Sequence, residues 1–151
     1  MFRSGNVTKH ELADGNVQHR QVNLRDVDEP LVLTRAQVRE ALDGRASDAR
    51  VDDAVLVAVE LVTNALRHTS SGPDRMDLDV YEYIAVVWVH DGGKDADAVR
   101  PHVAEDTSPL AAEEDGRGLQ IVECLATRWL VWPTAGGKAV VAEIRLLAEV
   151  E

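Results

Sequence analysis

Val55-Leu56-Val57-Ala58-Val59-Glu60-Leu61-Val62-Thr63-Asn64-Ala65-Leu66-Arg67-His68 is a strongly apolar run without proline or glycine. It reads as a buried helix, and Ser47 or Asp48 offers its N-cap. Glu60 and Asn64 stand four residues apart, which sets a carboxylate and a carboxamide on one helical face. Two such groups on an otherwise apolar helix are costly unless something polar meets them. The helix therefore reads as the carrier of a polar site as well as part of the core.

Working outward, residues 69–74 form a turn cluster of Thr, Ser, Gly, Pro and Asp. Residues 76–90 are rich in Val, Ile, Tyr and Trp and too long for one strand. They read as two strands with a reversal near Glu82 and Tyr83. Residues 92–115 are polar and acidic, contain Pro101 and Pro109, and read as a mobile loop. A short helix is expected over 119–126, starting just past two glycines. Residues 128–132 and 138–147 then form a closing hairpin joined at Ala135-Gly136-Gly137. Upstream, 33–42 is helical and ends at Asp43-Gly44. Residues 17–27 hold an edge strand, and 1–16 form a loose terminus ahead of a single domain over 17–151. Hairpins and covering helices together predict an α+β fold: a two-layer α/β sandwich with a mixed, mainly antiparallel sheet and helices on one face.

A chain of 151 residues with a 45% hydrophobic fraction is one globular domain with a sizeable core. Its net charge of −11 argues against binding a nucleic-acid backbone directly. The single cysteine, Cys124, excludes an internal disulfide and fits a reducing cytosol. No signal peptide opens the chain and no apolar run is long enough to span a membrane, so a soluble cytoplasmic protein without a membrane partner is expected.

Two further signatures follow the Glu60/Asn64 pair in order. Asp91-Gly92-Gly93 closes an apolar strand; a carboxylate there can accept a hydrogen bond from a base amino group, and Gly93 lets the backbone approach closely. Gly116-Arg117-Gly118-Leu119 precedes a helix, where glycines let main-chain N–H groups point at phosphate oxygens. No phosphate-loop pattern is present, and Gly136-Gly137-Lys138 reads as a turn joining two strands. Arg67 lies one turn beyond the Glu60/Asn64 pair, either reaching a phosphate or standing solvated, and His68 reads as a helix-end residue.

In this order, the three segments resemble the N box and the two glycine boxes of the GHKL (Bergerat-fold) ATP-binding superfamily. The compact layout is similar to the anti-sigma-factor serine/threonine kinases and their stand-alone relatives, over roughly residues 33–146. The resemblance implies the histidine-kinase-like ATPase fold with bound ATP and Mg²⁺. By it, Glu60 is the general base, Asn64 the metal ligand, Asp91 and Gly93 adenine contacts, and Gly116 and Gly118 phosphate contacts, with Arg67, Arg117 and Leu119 as further ATP-binding residues. It also implies phosphorylation of a serine on a STAS-domain anti-sigma antagonist and sequestration of a sigma factor, and it is compatible with a homodimer. The alternative is a catalytically inactive nucleotide-binding module acting through partner binding alone. Departures from the pattern are Ala139, where relatives often carry a threonine near the adenine, and the short loop ending in Glu113, Glu114 and Asp115.

Overall fold

The computed structural model describes residues 7–11, 18–69, 71–92 and 116–147. Nine elements follow one another: β1 (Val7–Glu11), β2 (Gln18–Asn23), α1 (Pro30–Leu42), α2 (Asp48–His68), β3 (Pro73–Val80), β4 (Ile84–Asp91), α3 (Gly116–Leu125), β5 (Arg128–Thr134) and β6 (Gly137–Arg145). The strands make one sheet in the order β1-β2-β3-β4-β6-β5. Every pairing in it is antiparallel, so the expected mixed sheet is wholly antiparallel among the described strands. Hairpins join β1 to β2, β3 to β4 and β5 to β6, whereas the connection from β2 to β3 passes through α1 and α2 and that from β4 to β6 through α3 and β5.

The local signals explain most boundaries. Pro30 occupies the first turn of α1, where its fixed φ suits a helix and its missing N–H costs nothing. This starts the helix three residues before the expected Leu33. Gly44, at φ +75, takes the left-handed conformation that follows a helix end. Ser47 caps α2, its side chain accepting from the Arg50 N–H at 3.2 Å. At the β3–β4 reversal the Tyr81 N–H donates to the Ile84 carbonyl at 2.8 Å.

Two strand assignments differ from the sequence reading. Residues 7–11, placed there in the loose terminus, form β1. Consequently β2 is an interior strand flanked by β1 and β3 rather than an edge. Strand propensity in so short and polar a segment is weak, and pairing with a neighbour decides it. Strand β3 also begins at Pro73, inside the expected turn, with a register shift between Pro73 and Arg75 that bulges Asp74 outward.

Alternation along β4 defines the layers. Ala85, Val87 and Val89 are buried in the core together with Met76, Leu78 and Val80 of β3 and Val140, Ala142 and Ile144 of β6. Against this face lie α1, α2 and α3. Val57, Ala58, Leu61 and Val62 supply the apolar stripe of α2, each large side chain contributing about 1.5–3 kcal/mol on burial. Arg20 is buried on the same face, its Nη1 donating to Gln37 Oε1 at 2.9 Å and lying 3.4 Å from Glu40, which ties β2 to α1. Ile84, Val86, Trp88 and His90 take the opposite face and remain half-buried. There His19 meets Asp79 at 2.5 Å and His90 meets Asp77 at 3.1 Å.

Candidate functional site

The direction of α2 sets where its polar pair lies. Arg50, in the first turn, donates from Nε and Nη2 to the carbonyl of Arg145, the last residue of β6, at 2.9 and 2.7 Å. From there α2 runs over β6, β4 and β3 towards the other end of the sheet, where β4 finishes and β6 begins. Asn64 is fourteen residues on from Arg50, about 21 Å along the axis. Lys138 is seven strand residues back from Arg145, about 23 Å. Glu60 and Asn64 thus stand above the end of the sheet that carries Asp91 and Lys138.

Both α2 side chains are half-buried, and neither is joined to another described residue by a hydrogen bond or ion pair. Beside the buried stripe of the helix, this sets a half-buried carboxylate and carboxamide one turn apart, groups that can meet an incoming polar ligand. Arg67 and His68 are exposed on the last turn. Behind them Thr69 is buried, its hydroxyl donating to the Ala65 carbonyl at 2.7 Å.

Asp91, the last residue of β4, continues the Ala85-Val87-Val89 alternation onto the helix-covered face and is buried. Directly across the ladder stands Lys138, also buried, with Nζ 3.1 Å from Asp91 Oδ2. That approach is close enough for an ion pair but lacks the direction a hydrogen bond needs, so the ammonium makes none. Against the same strand end, a Cβ on Gly137 would lie 2.1 Å from the Asp91 carbonyl oxygen, and one on Gly92 would lie 2.9 Å from Asp74 Oδ2. Only glycine lets the β5–β6 turn close on this point. Gly93 lies outside the described residues.

The same alternation corrects one reading and adds a residue. Ala139 pairs with His90 and Trp132 and points to the opposite face of the sheet from Asp91. Its lack of a hydroxyl therefore does not bear on the face of the sheet that carries Asp91. Lys138, read from sequence as part of a hairpin turn, is the β6 residue that faces the carboxylate. Counting back by twos from the apolar Ile144, Ala142 and Val140 would have found it.

The orientation of α3 completes the site. Its C-terminal residues Cys124 and Leu125 share with Arg50 and Arg145 a surface groove of about 460 Å³. Just after the helix, the Thr127 N–H donates to the Glu143 carbonyl at 2.7 Å. The C-terminus of α3 therefore lies at the Arg145 end, and its first turn points to the Asp91 end. Ten residues make α3 about 15 Å long, the same axial distance as from Arg50 to Glu60. Sequence placed the glycines ahead of the helix, whereas Gly116 and Gly118 form its first turn. The N–H groups of an α-helix's first turn have no partner within the helix and carry the positive end of its dipole. The side chains of Arg117 and Leu119, and the whole loop over 93–115, lie outside the described residues.

One end of the sandwich thus combines a carboxylate, a carboxamide, a buried carboxylate–ammonium pair and a helix N-terminus. Neither a scan against protein-family models nor a search of curated proteins finds a match for this chain. Among the described residues, no helix is long and apolar enough to cross a membrane.

Proposed function

We propose that this chain binds Mg-ATP and acts as a regulatory protein similar to the anti-sigma-factor serine/threonine kinases of the GHKL superfamily. The observation that carries the reading is the placement, towards one end of the sheet, of Glu60 and Asn64, which pair with no other described residue, buried Asp91 and the first turn of α3. Each matches one need of the nucleotide. Asp91 accepts from the adenine amino group, and the N–H groups of Gly116 to Leu119 meet phosphate oxygens. Asn64 Oδ1 suits Mg²⁺, being a hard neutral oxygen that adds no repulsion towards a triphosphate. Bound there, Mg²⁺ would neutralise charge on the phosphates. In transfer, the serine oxygen of a STAS-domain antagonist forms a bond to the γ-phosphorus as the bond to the bridging β–γ oxygen breaks. ADP leaves, and the hydroxyl proton passes to Glu60. The sigma factor is the second partner, and the cytoplasm the proposed compartment.

A second reading is a nucleotide-binding module without transferase activity, in which the same base and phosphate contacts hold ATP and no proton passes to Glu60. The ion pair with Lys138 bears equally on both readings, because Asp91 is the base contact in each. Calorimetric titration of Mg-ATP, followed by assay of γ-phosphate transfer to STAS-domain proteins, decides between them. Binding with transfer supports the kinase, and binding without transfer to any such protein supports the module. Absence of binding refutes both.

A further inference from the structure

Lys138 is left unexplained by the roles above. Its ammonium carries three donors, is only 3% exposed and makes no aligned hydrogen bond, although Asp91 Oδ2 is 3.1 Å away. An ammonium buried with its donors uncommitted is costly, and a single off-axis carboxylate offsets this only in part. Asp91 and Lys138 are directly opposed across an antiparallel pair, where Cβ atoms lie about 4.5–5.5 Å apart. Their polar ends therefore converge on one small patch of any ligand rather than on two.

Building on the nucleotide reading above, we infer that Lys138 reads the base directly, donating to ring nitrogen N1 of the adenine whose 6-amino group donates to Asp91. Adenine presents a donor and an acceptor side by side on this edge, and Asp91 and Lys138 present the complementary acceptor and donor. Guanine carries a hydrogen on N1, which would face the ammonium donor to donor. The pair thus selects adenine by matching one position and opposing the alternative. Lys138 owes its place to strand alternation: one residue later, at Ala139, a side chain projects to the far face of the sheet.

The test uses the wild-type protein and three nucleotides: ATP, 1-deaza-ATP, in which C–H replaces N1, and 7-deaza-ATP as a control for loss of the other edge nitrogen. In calorimetry with Mg²⁺, 1-deaza-ATP is expected to bind roughly 10- to 100-fold more weakly than ATP, the usual range for a lost charge-assisted hydrogen bond. The 7-deaza analogue should bind like ATP. In Lys138→Met the preference for ATP over 1-deaza-ATP should vanish. Equal affinity of wild type for ATP and 1-deaza-ATP, or a loss confined to the 7-deaza analogue, would overturn the assignment while leaving nucleotide binding intact. No measurable ATP binding would instead overturn the nucleotide reading itself. Because the wild-type comparison needs no substitution, it stands even if Lys138→Met fails to fold.

Discussion

Gly137 lies so close against Asp91 that a Cβ on it would sit 2.1 Å from the Asp91 carbonyl oxygen and 2.9 Å from the Gly92 Cα. The atoms it would meet are backbone, so no side-chain rotation relieves the clash, and β4 and β6 would have to separate at their paired end. The turn between β5 and β6 thereby clamps the strand end that carries the buried carboxylate. Folding and the candidate site share this contact.

Gly137→Ala should therefore destabilise the domain by about 1–3 kcal/mol, as overpacking does in well-packed positions. Gly136→Ala is the control, since a Cβ there meets nothing within 4 Å; it should stay within about 0.5 kcal/mol of wild type. Urea denaturation of both variants checks this. Equal midpoints would show that the strand end yields easily and is not clamped.

Asp91→Asn tests stability and binding together. Removing the charge leaves Lys138 buried without its counter-ion, which typically costs about 3–5 kcal/mol. It also replaces an acceptor oxygen with a donor facing the base amino group, a loss of about 1–3 kcal/mol, or roughly tenfold or more in ATP affinity. Pairing Asp91→Asn with Lys138→Met should recover part of the stability but none of the affinity, because the two residues are in contact and their effects couple. A folded Asp91→Asn protein with unchanged ATP affinity by calorimetry would remove Asp91 from the site.

Glu60→Gln separates binding from chemistry. The amide keeps the shape and an oxygen acceptor but cannot take the serine proton. If the chain is a kinase, Mg-ATP affinity should hold while phosphate transfer to a STAS-domain partner slows on the order of 100-fold or more. A variant that transfers at the wild-type rate would exclude Glu60 as the base.

The layers were legible in the sequence because their signals are local. The apolar run around Glu60, the Ser47 cap and the Ile84–Asp91 alternation each act within a few residues. What was missed depends on pairing. Val7–Glu11 has too few apolar residues to announce β1, which exists through its ladder with β2. Lys138 was hidden because its role follows from the register that sets it across from Asp91. The weight first given to Ala139 came from the resemblance, in which relatives often carry a threonine there, whereas its face of the sheet depends on the parity of the strand. Glu60 and Asn64 stood out in the sequence because polar groups on an apolar helix conflict with local patterning, and no hydrogen bond or ion pair joins them to another described residue.

The last prediction concerns the first turn of α3. Its N–H groups at Gly116, Arg117, Gly118 and Leu119 have no partner within the helix, so without ligand they should exchange with solvent readily. Phosphates held there would add acceptors and slow that exchange. The middle of β6, around Val141 and Ala142, is already paired on both sides by β4 and β5 and should change little. Arg117 is the one cation in a stretch that also carries Glu113, Glu114 and Asp115, so Arg117→Ala should reduce the protection by letting acidic repulsion oppose the triphosphate. Hydrogen exchange with and without saturating Mg-ATP measures both effects. Equal exchange at Gly116 to Leu119 in the two states would mean that the phosphates do not lie on this helix. The nucleotide would then have to be placed by Asp91 and Lys138 alone, and Glu60 would no longer have a γ-phosphate within reach.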